Sequence, residues 1–81
     1  MTTMTNKHLG NLIGCTHSMA SRLRAGKRLP GSASMLRISA ALQIPADTLL
    51  TAYGEGPAAF AWILNGRIAE IDALERATTA A

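Results

Sequence analysis

His17, Ser18, Ser21 and Arg22 stand at i, i+1, i+4 and i+5, so on a helix their side chains share one face. Short polar groups permit close approach, and an arginine can fork onto two acceptors at once. Together they suit hydrogen bonding to base-pair edges in the major groove of duplex DNA. A histidine near a helix start also serves as a plain solvated side chain, which makes His17 the loosest member of the four. Nothing comparable points to catalysis. All five carboxylates follow residue 45 and none is spaced as an acid/base pair. Cys15, His8 and His17 are three scattered donors without the CxxC or HxxxH spacing of a tetrahedral zinc site. Cys15 is expected to be buried with His17 directed elsewhere, which argues against a nucleophile. The expectation is no enzyme, no cofactor and no metal, with no small-molecule substrate evident.

The charge around that face is one-sided. Residues 1–45 hold Lys7, Arg22, Arg24, Lys27, Arg28 and Arg37 without an acidic residue, net +6, whereas the rest carries −3, giving +3 for the chain. An uninterrupted positive half attracts a polyanion, and nucleic acid is the usual one.

The elements that position these residues are legible from turn signals and apolar spacing. Gly14, Gly26 with Pro30-Gly31, Pro45, and Gly54 with Gly56-Pro57 cut the chain into helix-length pieces, and no β-branched alternating run lies between them. Apolar residues recur at helical intervals: Leu9, Leu12 and Ile13; Met35, Ile38 and Leu42; Phe60, Leu64, Ile68 and Ile71. The fold class is therefore all-α, a small bundle of about five helices. The first spans about Asn6–Ile13 behind Thr5 as N-cap, and the second about His17–Ala25 behind Thr16. A third opens at Gly31 or Ser32 and ends near Gln43, since Pro45 disfavours helical geometry at Ile44. A fourth covers about Ala46–Tyr53 and stops at Gly54 as a left-handed C-cap. The last runs from Pro57 to about Ala77, with a frayed tail over Thr78–Ala81. At 81 residues this is one domain of modest stability, a 1–55 region completed by a 56–81 helix. One cysteine and the absence of a membrane-length apolar run or signal sequence suit the cytoplasm of a bacterial or phage-infected cell.

Between Leu9 and Leu23, two short helices joined by a tight turn must cross steeply. That requires a small residue at their contact and one tolerant of positive φ at the turn, demands that Gly10 and Gly14 meet. Here the sequence resembles the phage repressor and Cro helix-turn-helix family. The matching residues are Asn6, Leu9-Gly10, Gly14, Cys15 and Thr16, continued by Gly26-Lys27-Arg28-Leu29-Pro30, Arg37-Ile38, Ala41-Leu42, Ile44-Pro45 and Leu49-Leu50. The likeness covers roughly residues 5–50 in continuous register. It implies a lambda-repressor-like fold with the helix after Thr16 in the major groove. His17, Ser18, Ser21 and Arg22 would then face bases. Asn6 would contact a phosphate and brace that helix; Thr16, Lys27, Arg28 and Ser32 would hold the backbone. Arg24, where an acidic residue is common, would add a phosphate contact or be simply solvated.

Three departures stand out. A further helix of about a dozen residues usually precedes, yet only five residues lie before Asn6. The last helix is a candidate replacement. Gly10 stands where alanine is usual and Ala20 where a larger aliphatic is usual, which suggests thinner packing between the two motif helices. On the last helix, Phe60, Leu64, Ile68 and Ile71, widened by Trp62, Ile63 and Leu74, form a stripe expected to pair two copies, while Glu70, Asp72 and Glu75 keep that end from phosphates. A homodimer of this kind would present two recognition helices about 34 Å apart, one DNA turn. The expected function is sequence-specific regulation of transcription, as a repressor or Cro-like switch. The alternatives are a protein-interaction module, antitoxin-like or host-targeting, and a nonspecific architectural DNA binder.

Overall fold

The computed structural model describes residues 4–80, the last three as backbone alone. Within them the chain forms five helices and no strand: α1 Asn6–Ile13, α2 His17–Arg24, α3 Ser32–Leu42, α4 Ala46–Glu55 and α5 Pro57–Ala80.

Local chemistry accounts for the ends. Thr5 and Thr16 adopt extended geometry, and their hydroxyl oxygens accept from the N–H of His8 at 3.0 Å and of Met19 at 3.1 Å. Each supplies a donor of the first turn with the acceptor that the helix cannot. α1 stops where Gly14 enters the left-handed region at φ 71°. After α2, Gly26 at φ 74° lets the N–H of Lys27 donate to the carbonyl of Arg22 at 3.0 Å and that of Gly26 to Leu23 at 3.3 Å. This pair of bonds satisfies orphan carbonyls of the last turn. α3 ends on Gln43, left-handed at φ 53° without being glycine.

Two boundaries differ from those predicted. Gly54 does not cap α4; the helix continues through Glu55 and stops at Gly56, φ 121°. The stop falls there because Pro57 disfavours helical geometry in the residue before it, and itself lacks the N–H that a first-turn position can spare. The backbone of the expected frayed tail stays helical to Ala80, and Ala81 lies outside the described residues.

The helices pack in a closed cycle: α1 on α2 and α3, α3 on α4, α4 on α5, and α5 back on α2. Leu9, Ile13, Ala20, Leu23, Ile38, Leu42, Leu49, Phe60, Leu64 and Ile68 fill its centre, all but excluded from solvent. Leu12, which shares the helical spacing of α1, is exposed. α5 also closes the ends of its neighbours with polar side chains. Asn65 Nδ2 donates to the carbonyl of Arg24 at 2.8 Å, and Arg67 Nε to that of Leu42 at 2.7 Å. Asp72, expected with Glu70 and Glu75 to keep that end from phosphates, is buried: both carboxylate oxygens accept from the N–H of Met4, at 3.2 and 3.3 Å. A carboxylate is driven inside only where donors replace water, and here it anchors the segment ahead of α1 to α5. No helix among the described residues is long and apolar enough to cross a membrane.

Candidate nucleic-acid interface

α2 is amphipathic across its two turns. Ala20 and Leu23 are fully buried and Met19 half-buried against the core, which fixes the roll of the helix. That roll leaves His17, Ser18 and Arg22 exposed and Ser21 half-buried, and no described residue bonds to any of the four side chains. The predicted recognition set therefore shares an open face, free to accept and donate hydrogen bonds.

The start of α2 is held from behind by α1. A Cβ on Gly10 would lie 2.7 Å from the carbonyl oxygen of Cys15 and 3.3 Å from the carbonyl carbon and oxygen of Thr16. The backbones thus approach more closely at Gly10 than a side chain allows, which reverses the expectation of thinner packing there. Arg37, absent from the predicted site, lies over the same turn, since a Cβ on Gly14 would come to 2.5 Å from its Nη1. Its signals in the sequence were its membership of the basic half and its place in the Arg37-Ile38 pair of the resemblance.

The loop after α2 is shaped by three contacts. Gly26 sits on α5, where a Cβ would be 3.3 Å from Ala58 Cα; Pro30 is fully buried and Leu29 half-buried. Between these anchors Lys27 and Arg28 are exposed, with no carboxylate partner among the described residues. Exposed Ser32 opens α3 behind Gly31, which provides no side-chain cap, so the first-turn N–H groups remain available to an anion. Thr16 is exposed with its hydroxyl engaged as a cap.

Two predicted groups are placed differently. Arg24 is neither solvated nor free for phosphate through its whole fork. Nη1 donates to the carbonyl of Met4 at 3.0 Å and to Asn6 Oδ1 at 3.2 Å, and Nε to Asn65 Oδ1 at 3.1 Å. The cause is local: the segment ahead of α1, the first residue of α1 and the flank of α5 each present an oxygen to a group that can only donate. Phe60, Leu64 and Ile68, expected at a dimer contact, are interior to the single chain, and Ile71 is half-buried. So small a protein needs its best apolar stripe for its own core. The outward side of α5 carries Trp62, 77% exposed, and Leu74, 62% exposed.

Cys15 is half-buried, and desolvation pushes its thiol above the ordinary range, the reverse of what a nucleophile needs. Among the described residues no three His, Cys, Asp or Glu side chains gather in a way that could hold a metal ion. The bonds of Asn65 and Asp72, the polar hubs of α5, have no signal in the sequence, because single polar residues on a long helix give no sign of what they will meet.

No protein-family model, curated protein or solved structure matches this chain.

Proposed function

We propose that the protein is a sequence-specific double-stranded DNA-binding regulator of transcription, of the phage or prophage repressor or Cro-like kind, with α2 entering the major groove. One observation carries the reading. α2 is locked by Ala20 and Leu23 so that His17, Ser18, Ser21 and Arg22 stand together without a side-chain partner among the described residues, beside a carboxylate-free loop bearing Lys27 and Arg28. Base edges would be read by the four, while the loop and the start of α3 grip phosphates and set the register. The first helix expected from the resemblance has its counterpart in α5, which packs on α2 and receives the Met4 segment. Two copies on one operator remain part of the proposal, meeting through the outward side of α5.

Selection of bound duplexes from a random DNA pool tests this. Recovery of a defined motif is the expected result. Strong binding without a motif would instead identify an architectural protein. A second reading, a protein-interaction module, is favoured by one feature, the exposed indole of Trp62; no duplex recovered at all would make it the better account.

A further inference from the structure

We propose that Arg24 is a positioning residue, held by Asn65 of α5, that fixes the amide of Asn6 so that its nitrogen is presented to a phosphate of the DNA backbone. The inference rests on the DNA-binding reading and names how one contact of it is built. Arg24 lies in the last turn of α2, and its guanidinium ties residues 4–6 to α5 through the carbonyl of Met4, Asn6 Oδ1 and Asn65 Oδ1. Asn65 returns a bond from Nδ2 to the carbonyl of Arg24 itself at 2.8 Å, so the two residues clamp each other.

The chemistry then determines which way the Asn6 amide is turned. A guanidinium has donors only, so of the two ends of that amide only the oxygen can face Arg24. Nδ2, with two N–H donors, is directed away from it, and no described residue accepts from it. Asn6 is half-exposed at the first position of α1, so this donor has access to solvent. An acceptor with several anionic oxygens is the group it fits, and a phosphodiester is the one that a DNA-bound protein meets. Without Arg24 the amide would turn between both orientations, and half of them would set its oxygen against the phosphate. Arg24 thus acts through Asn6 and needs no DNA contact of its own.

Asn6→Asp separates this role from a structural one. The carboxylate accepts from Arg24 on either oxygen and an acid suits the first turn of a helix, so the thermal midpoint should stay level or rise. Having no donor for phosphate, the same variant should bind both the selected duplex and a random duplex of equal length about tenfold more weakly or worse, as removal of a charge-assisted bond does. Asn6→Ala should lose about as much on both duplexes. Arg24→Lys, which keeps the charge but cannot span the three oxygens, should weaken binding severalfold in the parent and not at all further in the Asn6→Ala background. Binding by Asn6→Asp equal to the parent would overturn the proposal. So would multiplicative losses in Arg24→Lys with Asn6→Ala, which would make Arg24 a direct phosphate contact. A parent that binds no duplex removes the DNA reading and the proposal with it, before any variant is compared.

Discussion

Replacing Gly10 by alanine should destabilise the protein even though it improves the helix. Alanine is favoured over glycine by about 1 kcal/mol in a helix interior. Here the added Cβ would stand 2.7 Å from the Cys15 carbonyl oxygen, with the Thr16 carbonyl carbon and oxygen at 3.3 Å. These are backbone atoms, so no side-chain rotation relieves the contact. Restoring ordinary separation at 3.4 Å requires α1 and the turn before α2 to part by roughly 0.7 Å, in an interior packed too densely to yield freely. Overpacking of this kind costs about 1–3 kcal/mol, and the propensity gain offsets part of it, leaving a net loss of roughly 1 kcal/mol. In a domain of this size that lowers the thermal midpoint by about 4–8 °C. Gly66→Ala is the matched control. It lies in α5 with open space around its Cβ, and should gain about 0.5–1 kcal/mol. Urea and thermal unfolding followed by far-ultraviolet circular dichroism measure both. If the two variants shift in the same stabilising direction, α1 and the turn are not in backbone contact, and the account of how α2 is held fails.

Four further outcomes are expected. Arg22→Ala should lose about 1–3 kcal/mol on the selected duplex and relax preference at one base position, whereas Lys27→Ala or Arg28→Ala should weaken binding to every duplex and lower the salt slope by about one; titrations at several salt concentrations distinguish them. Phe60→Ala should cost about 3–5 kcal/mol in unfolding experiments, a large share of the stability of so small a chain, while Trp62→Ala should stay within about 0.5 kcal/mol. Gln43→Gly should stabilise by roughly 0.5–1 kcal/mol in urea, because relief of a left-handed side-chain residue outweighs the added freedom of the unfolded chain. Cys15 should react with iodoacetamide severalfold more slowly folded than in urea. Since the folded state holds that thiol proton more tightly, the effect on stability is constant below the ordinary thiol range and becomes a loss as pH rises through it.

Features decided within a few residues were readable in advance. Thr5 and Thr16 cap the helices that follow them because a side-chain oxygen reaches an N–H three positions on, whatever the rest of the chain does. The open face of α2 followed from helical spacing alone, since Ala20 and Leu23 left only one way for His17, Ser18, Ser21 and Arg22 to turn. Gly54 was misread because the choice between it and Gly56 depends on the proline beside the latter. What spacing could not reveal was assignment across distance. The stripe of Phe60, Leu64 and Ile68 is apolar in either setting, and only the closed cycle of helices shows that its own chain covers it. The bonds of Arg24 and Asp72 were hidden for the same reason, since the partners of Arg24 lie 18, 20 and 41 positions away and that of Asp72 lies 68 away.

α2 leans on an element translated about forty residues after it. While Phe60, Leu64 and Ile68 are still unmade or inside a ribosome, the inner side of α2 has α1 as a companion but no roof, and the clamp from Asn65 to Arg24 cannot form. A growing chain that already contains His17, Ser18, Ser21 and Arg22 would thus be unable to hold them in array, so that whatever their shared face binds must wait on synthesis of the last helix.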